Sequence, residues 1–427
     1  MTTLVIGGGW SGLTTAVKLA RQGEPVHVIE AAKHFGGRAR NIEWQDKVID
    51  NGQHIMIGAY DHMLAMMQLV SVDPETVIDR LTIDISIYDT QYSPLHLSAR
   101  GKLSWPWSLA WNLVRSAGLS GLKNLVVLQR NIPKLLSDHD ITVLEWLQKA
   151  GQPDRLIKQL WEPLCLATLN TSTDRASAHV LAHVLRDSLG KTQQHADLLI
   201  PKKPLGDLFP QAAADYIRRH GGKLSRQTRI AEIVTEEGLV TGVVTTAGRF
   251  IDADNVVIAT GPDQSAQLLA SHVRFHRPQQ TPITTVYLQY HEDCRLPKPM
   301  LGMTGTMSHW LFDRSQQHPG LIAVVISAQG EHEQLSREQL IRHISQEVHQ
   351  QVPTLPDRAI DAFVIREKRA TFMCTVENHR QRPECETTIN GLWLTGDYIK
   401  NNYPATIEGA VRNGQYCAEQ ILSQPSS

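Results

Sequence analysis

The 427-residue chain is poor in the features that mark a secreted, zinc-bound or nucleic-acid-binding protein. Its five cysteines (Cys165, Cys294, Cys374, Cys385 and Cys417) are odd in number and never stand as C-x-x-C, which argues against a disulfide framework and a zinc site. They read as small buried apolar groups in a reducing compartment, so a cytoplasmic location is expected. Lys and Arg number 42 against 43 Asp and Glu, a net charge of -1 that provides no global positive field for DNA or RNA. No uninterrupted apolar run approaches the roughly 18 residues of a spanning helix. The apolar start, Leu4-Val5-Ile6, carries no basic leader and reads as a buried strand, not a signal peptide. What the chain does have is 41% hydrophobic residues and more length than the roughly 100–200 residues of one domain, so a large core in two domains or one elaborated domain is expected.

Leu4-Val5-Ile6 runs into Gly7-Gly8-Gly9-Trp10-Ser11-Gly12, after which Leu13, Ala16, Val17 and Ala20 repeat at helical spacing. Gly23 can close that helix, and Val26 to Ile29 forms a second strand ending at Glu30. The unit is strand, glycine turn, helix, strand. Gly7 suits a tight turn, Gly9 a close approach of backbone to a pyrophosphate, and Gly12 close packing of helix on strand. The helix N-terminus, with Trp10 and Ser11 in its first turn, offers free N–H groups to phosphate. Glu30, with Ala31 beside it, lies 18 residues after Gly12 and is suitably placed for a ribose diol. A second G-x-G-x-x-G unit is not evident, so a resident nicotinamide site is not expected.

Gly36-Gly37-Arg38-Ala39-Arg40 follows, and resembles the G-G-[RK]-x-x segment of flavoproteins of the amine oxidase and phytoene desaturase superfamily. That resemblance implies FAD, with Gly37 and Arg38 against the pyrophosphate and flavin; a guanidinium can pair bidentately with phosphate. Near the carboxyl end, Gly396-Asp397 closes a short apolar strand, and Pro404 to Val411 begins a helix. The superfamily carries such a closing motif. The resemblance implies that Asp397 holds the ribityl or pyrophosphate region and that Thr406 and Ile407 face the flavin pyrimidine edge, where a helix N-terminus favours the negative charge of reduced flavin. Between these blocks, Gln227 to Val234, Gly242-Val243-Val244 and Asn255 to Ile258 read as strands. The resemblance implies that Ile230 takes the superfamily's adenine-side position, and Gly52 and Gly261 complete the expected cofactor set. The expected fold class is α/β: a discontinuous Rossmann-like FAD-binding domain (1–60, 195–265 and 380–427) with an inserted mixed α+β substrate domain (61–194 and 266–379), amine oxidase-like.

The first inserted segment reads as mostly helical. From Thr90 to Ser137 it has no acid and six bases (Arg100, Lys102, Arg115, Lys123, Arg130 and Lys134), together with Trp105, Trp107 and Trp111. Segment 100–135 is therefore either a surface for peripheral membrane contact or an ordinary helical layer with inward tryptophans. In the second inserted segment, Thr284 to Tyr290 and Leu321 to Ile326 read as strands and Ser336 to Val352 as an amphipathic helix. Ser423 to Ser427 reads as a frayed tail.

Two catalytic candidates stand out. Glu162 lies in the apolar run Leu160 to Thr171, before Pro163, where a helix is expected to end. It is either a carboxyl group with a raised pKa, able to donate a proton, or a surface or helix-end glutamate. His54, in Asp50-Asn51-Gly52-Gln53-His54-Ile55, is either a proton carrier or a structural histidine near the cofactor.

Taken together, G-G-G-W-S-G-L, Asp50 to Tyr60, Leu160 to Thr171, Val184 to Leu189, Ala196 to Pro201 and Pro404 to Gly414 resemble the hydroxysqualene dehydroxylases, also called squalene-associated FAD-dependent desaturases. The match runs nearly end to end and is weakest between about 266 and 380. Asn401-Asn402-Tyr403 departs from it and resembles the aromatic position of amine oxidases. The resemblance implies reduction of hydroxysqualene to squalene in hopanoid synthesis, a hydrophobic C30 isoprenoid substrate, squalene-pathway synthases as partners, and a location on the inner face of the cytoplasmic membrane. An oxidative desaturase or amine oxidase, and a non-catalytic lipid carrier that retains FAD, are the competing readings.

Overall fold

A computed structural model describes residues 2–100 and 104–424. Lys102 of the basic stretch and the last residues of the expected frayed tail lie outside the described residues.

Five short strands form a parallel sheet in the order Lys223–Ser225, Val26–Ile29, Thr3–Ile6, Asn255–Ile258, Leu392–Leu394. Leu4 sits between His27 and Val256, and Val257 pairs with Trp393. Three of these strands are buried at every position, as expected for a parallel sheet covered on both faces. The opening helix Trp10–Arg21 and the closing helix Ile407–Ser423 pack against each other and so bring the two ends of the chain to one place.

A second sheet has seven strands in the order Asp361–Phe372, Gln280–Gln289, Leu321–Ser327, Trp310–Asp313, Met300–Thr304, Asp84–Asp89, Leu95–Ser98. The last two come from the first inserted segment, which is mostly helical as expected but also supplies these strands: Ser86 pairs in parallel with Leu301, completing a sheet begun more than 200 residues later. Alternation divides this sheet into two faces. Val286, Leu288 and Val324 join Leu340, Ile344 and Val348 of the helix Arg337–Gln351 in one core. The opposite face, with Ile283, Tyr287, Trp310, Phe312, Val325 and Ile365, packs as a separate cluster with Trp44, Ile49 and Leu198.

The helix expected to end at Glu162 does not. Ile157–Trp161 forms a π-turn, and an α-helix resumes over Glu162–Leu169 with Pro163 in its first turn. Glu162 keeps right-handed helical angles (φ -62, ψ -54). A proline in a first turn gives up an N–H that has no intrahelical partner there, so the wide turn followed by a restart accommodates it. The helix Trp105–Ser137 is broken at Gly118 (φ 76, ψ 175). Among the described residues no helix is long and apolar enough to cross a membrane.

Candidate active site

A cavity of about 840 Å³ runs from the glycine turn to the inner face of the seven-stranded sheet. At its nucleotide end the three motif glycines divide their tasks. Gly7 has φ 111, and a Cβ there would lie 2.6 Å from the Ala259 carbonyl oxygen; on Gly12 it would lie 2.1 Å from the Gly7 oxygen, where helix meets strand. Gly9 is different, because its nearest neighbour would be Gly37 Cα at 3.9 Å, and Gly261 has nothing within 4 Å. Both line the cavity. Open backbone here lets a bulky phosphate approach.

Glu30 ends its strand at the same place, with Oε2 accepting from Gly8 N and Oε1 from Ala32 N, both at 2.7 Å. Ala31, Gly37, Gly52 and Ile230 also border the cavity. Trp10 and Ser11 bring the opening helix's N-terminus to it, and Thr406 and Ile407 bring that of the closing helix. Thr406 caps the latter, accepting from Gly409 N at 3.1 Å. The two ends are tied by Ser11 Oγ to Thr395 Oγ1 at 2.5 Å, with Asn413 Oδ1 accepting from Thr395 Oγ1 and Gly396 N. Two helix dipoles thus aim positive ends into one space. Arg38 donates to Asp397 Oδ1 at 2.6 Å and to the Ala370 carbonyl at 2.7 Å, with both Arg38 and Asp397 on the cavity wall. Of the expected cofactor residues, only Gly12 stands behind the wall, as its packing task requires. The open glycines, paired helix N-termini and ribose-side carboxylate fit FAD, and these residues would hold it.

The other end is apolar. Across the sheet, Ile365, Thr285, Val325 and Trp310 form one cross-strand row, and Phe312 and Met300 belong to the next. All six line the cavity, with Leu166 and Ala167 of the helix Glu162–Leu169. Asn170 fastens that helix to the sheet: it adopts a left-handed conformation (φ 48), donates to Pro282 O and Thr371 Oγ1, and accepts from Ala328 N.

His54 is on the wall. Its Nδ1 donates to Gly52 O at 2.9 Å, which leaves Nε2 as the acceptor. Burial lowers its pKa below 6.5, and the nearby Arg38 charge adds to the fall, against the partial support of the Gly52 bond. The imidazole is therefore neutral near pH 7. Glu162 is not brought to the cavity. Its Oε2 accepts from Thr173 N at 2.9 Å and Thr173 Oγ1 at 2.5 Å, tying its helix to the following turn. Tyr403 is also elsewhere: its hydroxyl donates to the Asp187 carboxylate, and Arg412 stacks on its ring at 4.1 Å. The sequence reading passed over Thr285 and Trp310. The alternation along Thr284 to Tyr290 was the available signal for Thr285, since it puts Thr285 and Tyr287 on one face.

A nucleotide cradle of this form, joined to an apolar chamber under a second sheet, defines an FAD-dependent oxidoreductase. The model of the flavin containing amine oxidoreductases matches residues 10–422, and the chain belongs to that family. It is 27% identical over 434 residues to the hydroxysqualene dehydroxylase of Zymomonas mobilis, covering 99% of both chains. It is 22% identical over 464 residues to a 15-cis-phytoene desaturase of Glycine max, covering 99% of this chain and 79% of that one. Among solved structures, an oxidoreductase from Methanosarcina mazei superposes with a TM-score of 0.75 at 17% identity, covering 99% of this chain and 100% of that one, a likeness of fold.

Proposed function

We propose that this chain reduces hydroxysqualene to squalene. The supporting observation is the pairing of a nucleotide cradle with a chamber walled by Trp310, Phe312, Met300, Val325 and Ile365, with His54 at the junction. Reduced FAD, when bound, supplies a hydride. The net change replaces C–O with C–H and releases water, so one proton must reach the departing oxygen. Hydroxide is a poor leaving group, and His54 in its protonated form gives that proton from Nε2 while Gly52 O keeps hold of Nδ1–H. Apolar walls exclude water that would recapture an allylic cation, and they bind a C30 chain by area burial at about 25 cal/mol per Å².

The same reading includes contact with an anionic membrane surface through the helix Trp105–Ser137. Trp107 is 68% exposed and Trp111 58% exposed, four residues apart on one face, with Arg115 exposed one turn further. An insoluble substrate would be collected there. The rival is oxidative desaturation, favoured by the likeness to the Glycine max phytoene desaturase. Anaerobic incubation of pre-reduced enzyme with hydroxysqualene, followed by mass spectrometry of the organic extract, decides: squalene supports the reductive reading. No squalene, with bleaching of oxidised flavin by a polyene, supports the rival.

A further inference from the structure

Besides Trp10 Nε1 at the glycine turn, three polar side-chain atoms in the cavity are buried and have no hydrogen-bond partner among the described residues: Gln53 Oε1, Thr285 Oγ1 and Trp310 Nε1. Burying such a group unpaired is costly, and native structures seldom tolerate it unless a ligand completes the bond. These atoms are not scattered. Thr285 and Trp310 lie on the same cross-strand row, both paired with Val325. Thr285 Oγ1 would be 3.5 Å from a Cβ on Gly52, the residue that holds His54 and precedes Gln53. Gln53 uses its amide N–H on the His54 carbonyl at 3.0 Å, which turns the oxygen into the free end. A corner of the chamber thus offers an acceptor at Gln53, a hydroxyl at Thr285, and His54 Nε2.

The geometry points to this corner as the recognition site for the substrate's hydroxyl group, with Thr285 and Gln53 as specificity-determining residues, an assignment that rests on the reductive reading above. An alcohol needs one donor for its oxygen and one acceptor for its hydrogen. Thr285 Oγ1–H supplies the first and Gln53 Oε1 the second, which leaves a lone pair of the alcohol oxygen for the Nε2 proton of His54. A hydrocarbon of the same shape leaves both groups unpaired, and a site built in this way discriminates strongly against the analogue that lacks the hydroxyl.

The test uses the oxidised holoenzyme, which binds without turning over, with hydroxysqualene and squalene as a pair differing by one hydroxyl and perturbation of flavin absorbance as the readout. Wild type binds hydroxysqualene more tightly than squalene. Thr285→Val keeps the shape and removes no bond within the protein, so FAD content and Tm hold, Kd for hydroxysqualene rises about tenfold, which is about 1.4 kcal/mol, and Kd for squalene stays within twofold. Thr285→Ser restores the preference. Equal wild-type affinity for the two ligands, a parallel loss for both in Thr285→Val, an unchanged hydroxysqualene Kd, or loss of FAD instead would each overturn the assignment. If the selective loss is seen but reduced enzyme yields no squalene, the reductive reading falls and the hydroxyl site remains.

Discussion

A Cβ placed on Gly414 would lie 2.4 Å from the carbonyl oxygen of Ser11 and 2.9 Å from the Cβ of Thr14. The closing helix therefore rests backbone against backbone on the opening one, and the same contact aligns the Gly396–Asp397 corner with the glycine turn. Gly414→Ala forces these helices apart. Overpacking of this kind costs about 1–3 kcal/mol. We expect a lowered Tm and a larger loss of bound FAD than of helical content, measured by flavin absorbance and far-ultraviolet circular dichroism on the same sample.

His54 gives a pH signature. Its pKa is lowered from 6.5 by burial, so the proton-donating form is scarce at pH 7 and grows as pH falls. Turnover limited by protonation should rise toward acid with a midpoint below 6.5. In His54→Gln that limb should vanish and kcat should drop by about 10²-fold, as for loss of a general acid, while FAD remains bound. A His54→Gln profile that keeps the wild-type limb would remove His54 from the proton path.

The sequence made the nucleotide end legible because its residues act through local rules. Gly7, Gly9 and Gly12 sit in one turn, and Glu30 ends the next strand. The chamber end was not legible in the same way. Ser86 meets Leu301 only because a helical segment contributes two strands to a distant sheet, and no local period announces a parallel partner so far along the chain. Thr285 reads as an ordinary strand former; its meaning comes from facing Gly52 across the cavity. Glu162 shows the converse. Its apolar neighbours suggested a pocket, but its carboxylate is taken by Thr173, a residue 11 positions away with no sequence mark of that role.

Acid stability should depend on His309. Its Nδ1 accepts from Ser327 N at 3.0 Å, and burial pushes its pKa down to about 4, from 6.5. The unfolded chain binds this proton more readily, so the contribution is fully present above pH 6.5 and is lost as pH falls toward 4. Between pH 6.5 and 5 the loss from this group is about 1.5 kcal/mol, because the slope reaches about 1.4 kcal/mol per pH unit only once the unfolded imidazole is mostly protonated. His309→Asn retains an acceptor for Ser327 N without a titrating ring. The difference in unfolding free energy between these pH values, from urea titrations, should shrink by that amount; an unchanged difference would clear His309.

Glu162→Gln should leave turnover within about twofold and FAD content intact, because the amide oxygen still accepts from Thr173 and the side chain does not border the cavity. Glu162→Ala should instead lower stability by about 1–3 kcal/mol, the cost of leaving buried donors unpaired. Steady-state rates with thermal melts on both variants check this. A kcat loss in Glu162→Gln with an unshifted melt would return Glu162 to the proton path.

The membrane reading makes a separable claim about Trp107 and Trp111. An exposed tryptophan pair on a basic helix face has no role in holding FAD or lining the chamber, so replacing both with Ser should leave activity on detergent-dispersed substrate unchanged. Binding to vesicles is another matter, because indole rings favour the interface and each Lys or Arg near an anionic surface adds about 1 kcal/mol. Arg115, Lys123 and Arg130 are all exposed on this helix. Wild type should co-sediment with phosphatidylglycerol vesicles at low salt and be released as salt rises, whereas neutral phosphatidylcholine vesicles should retain little. The Trp107→Ser, Trp111→Ser double variant should remain largely in the supernatant with both. Wild type that stays in the supernatant with anionic vesicles at low salt would leave the exposed tryptophans without a membrane to meet.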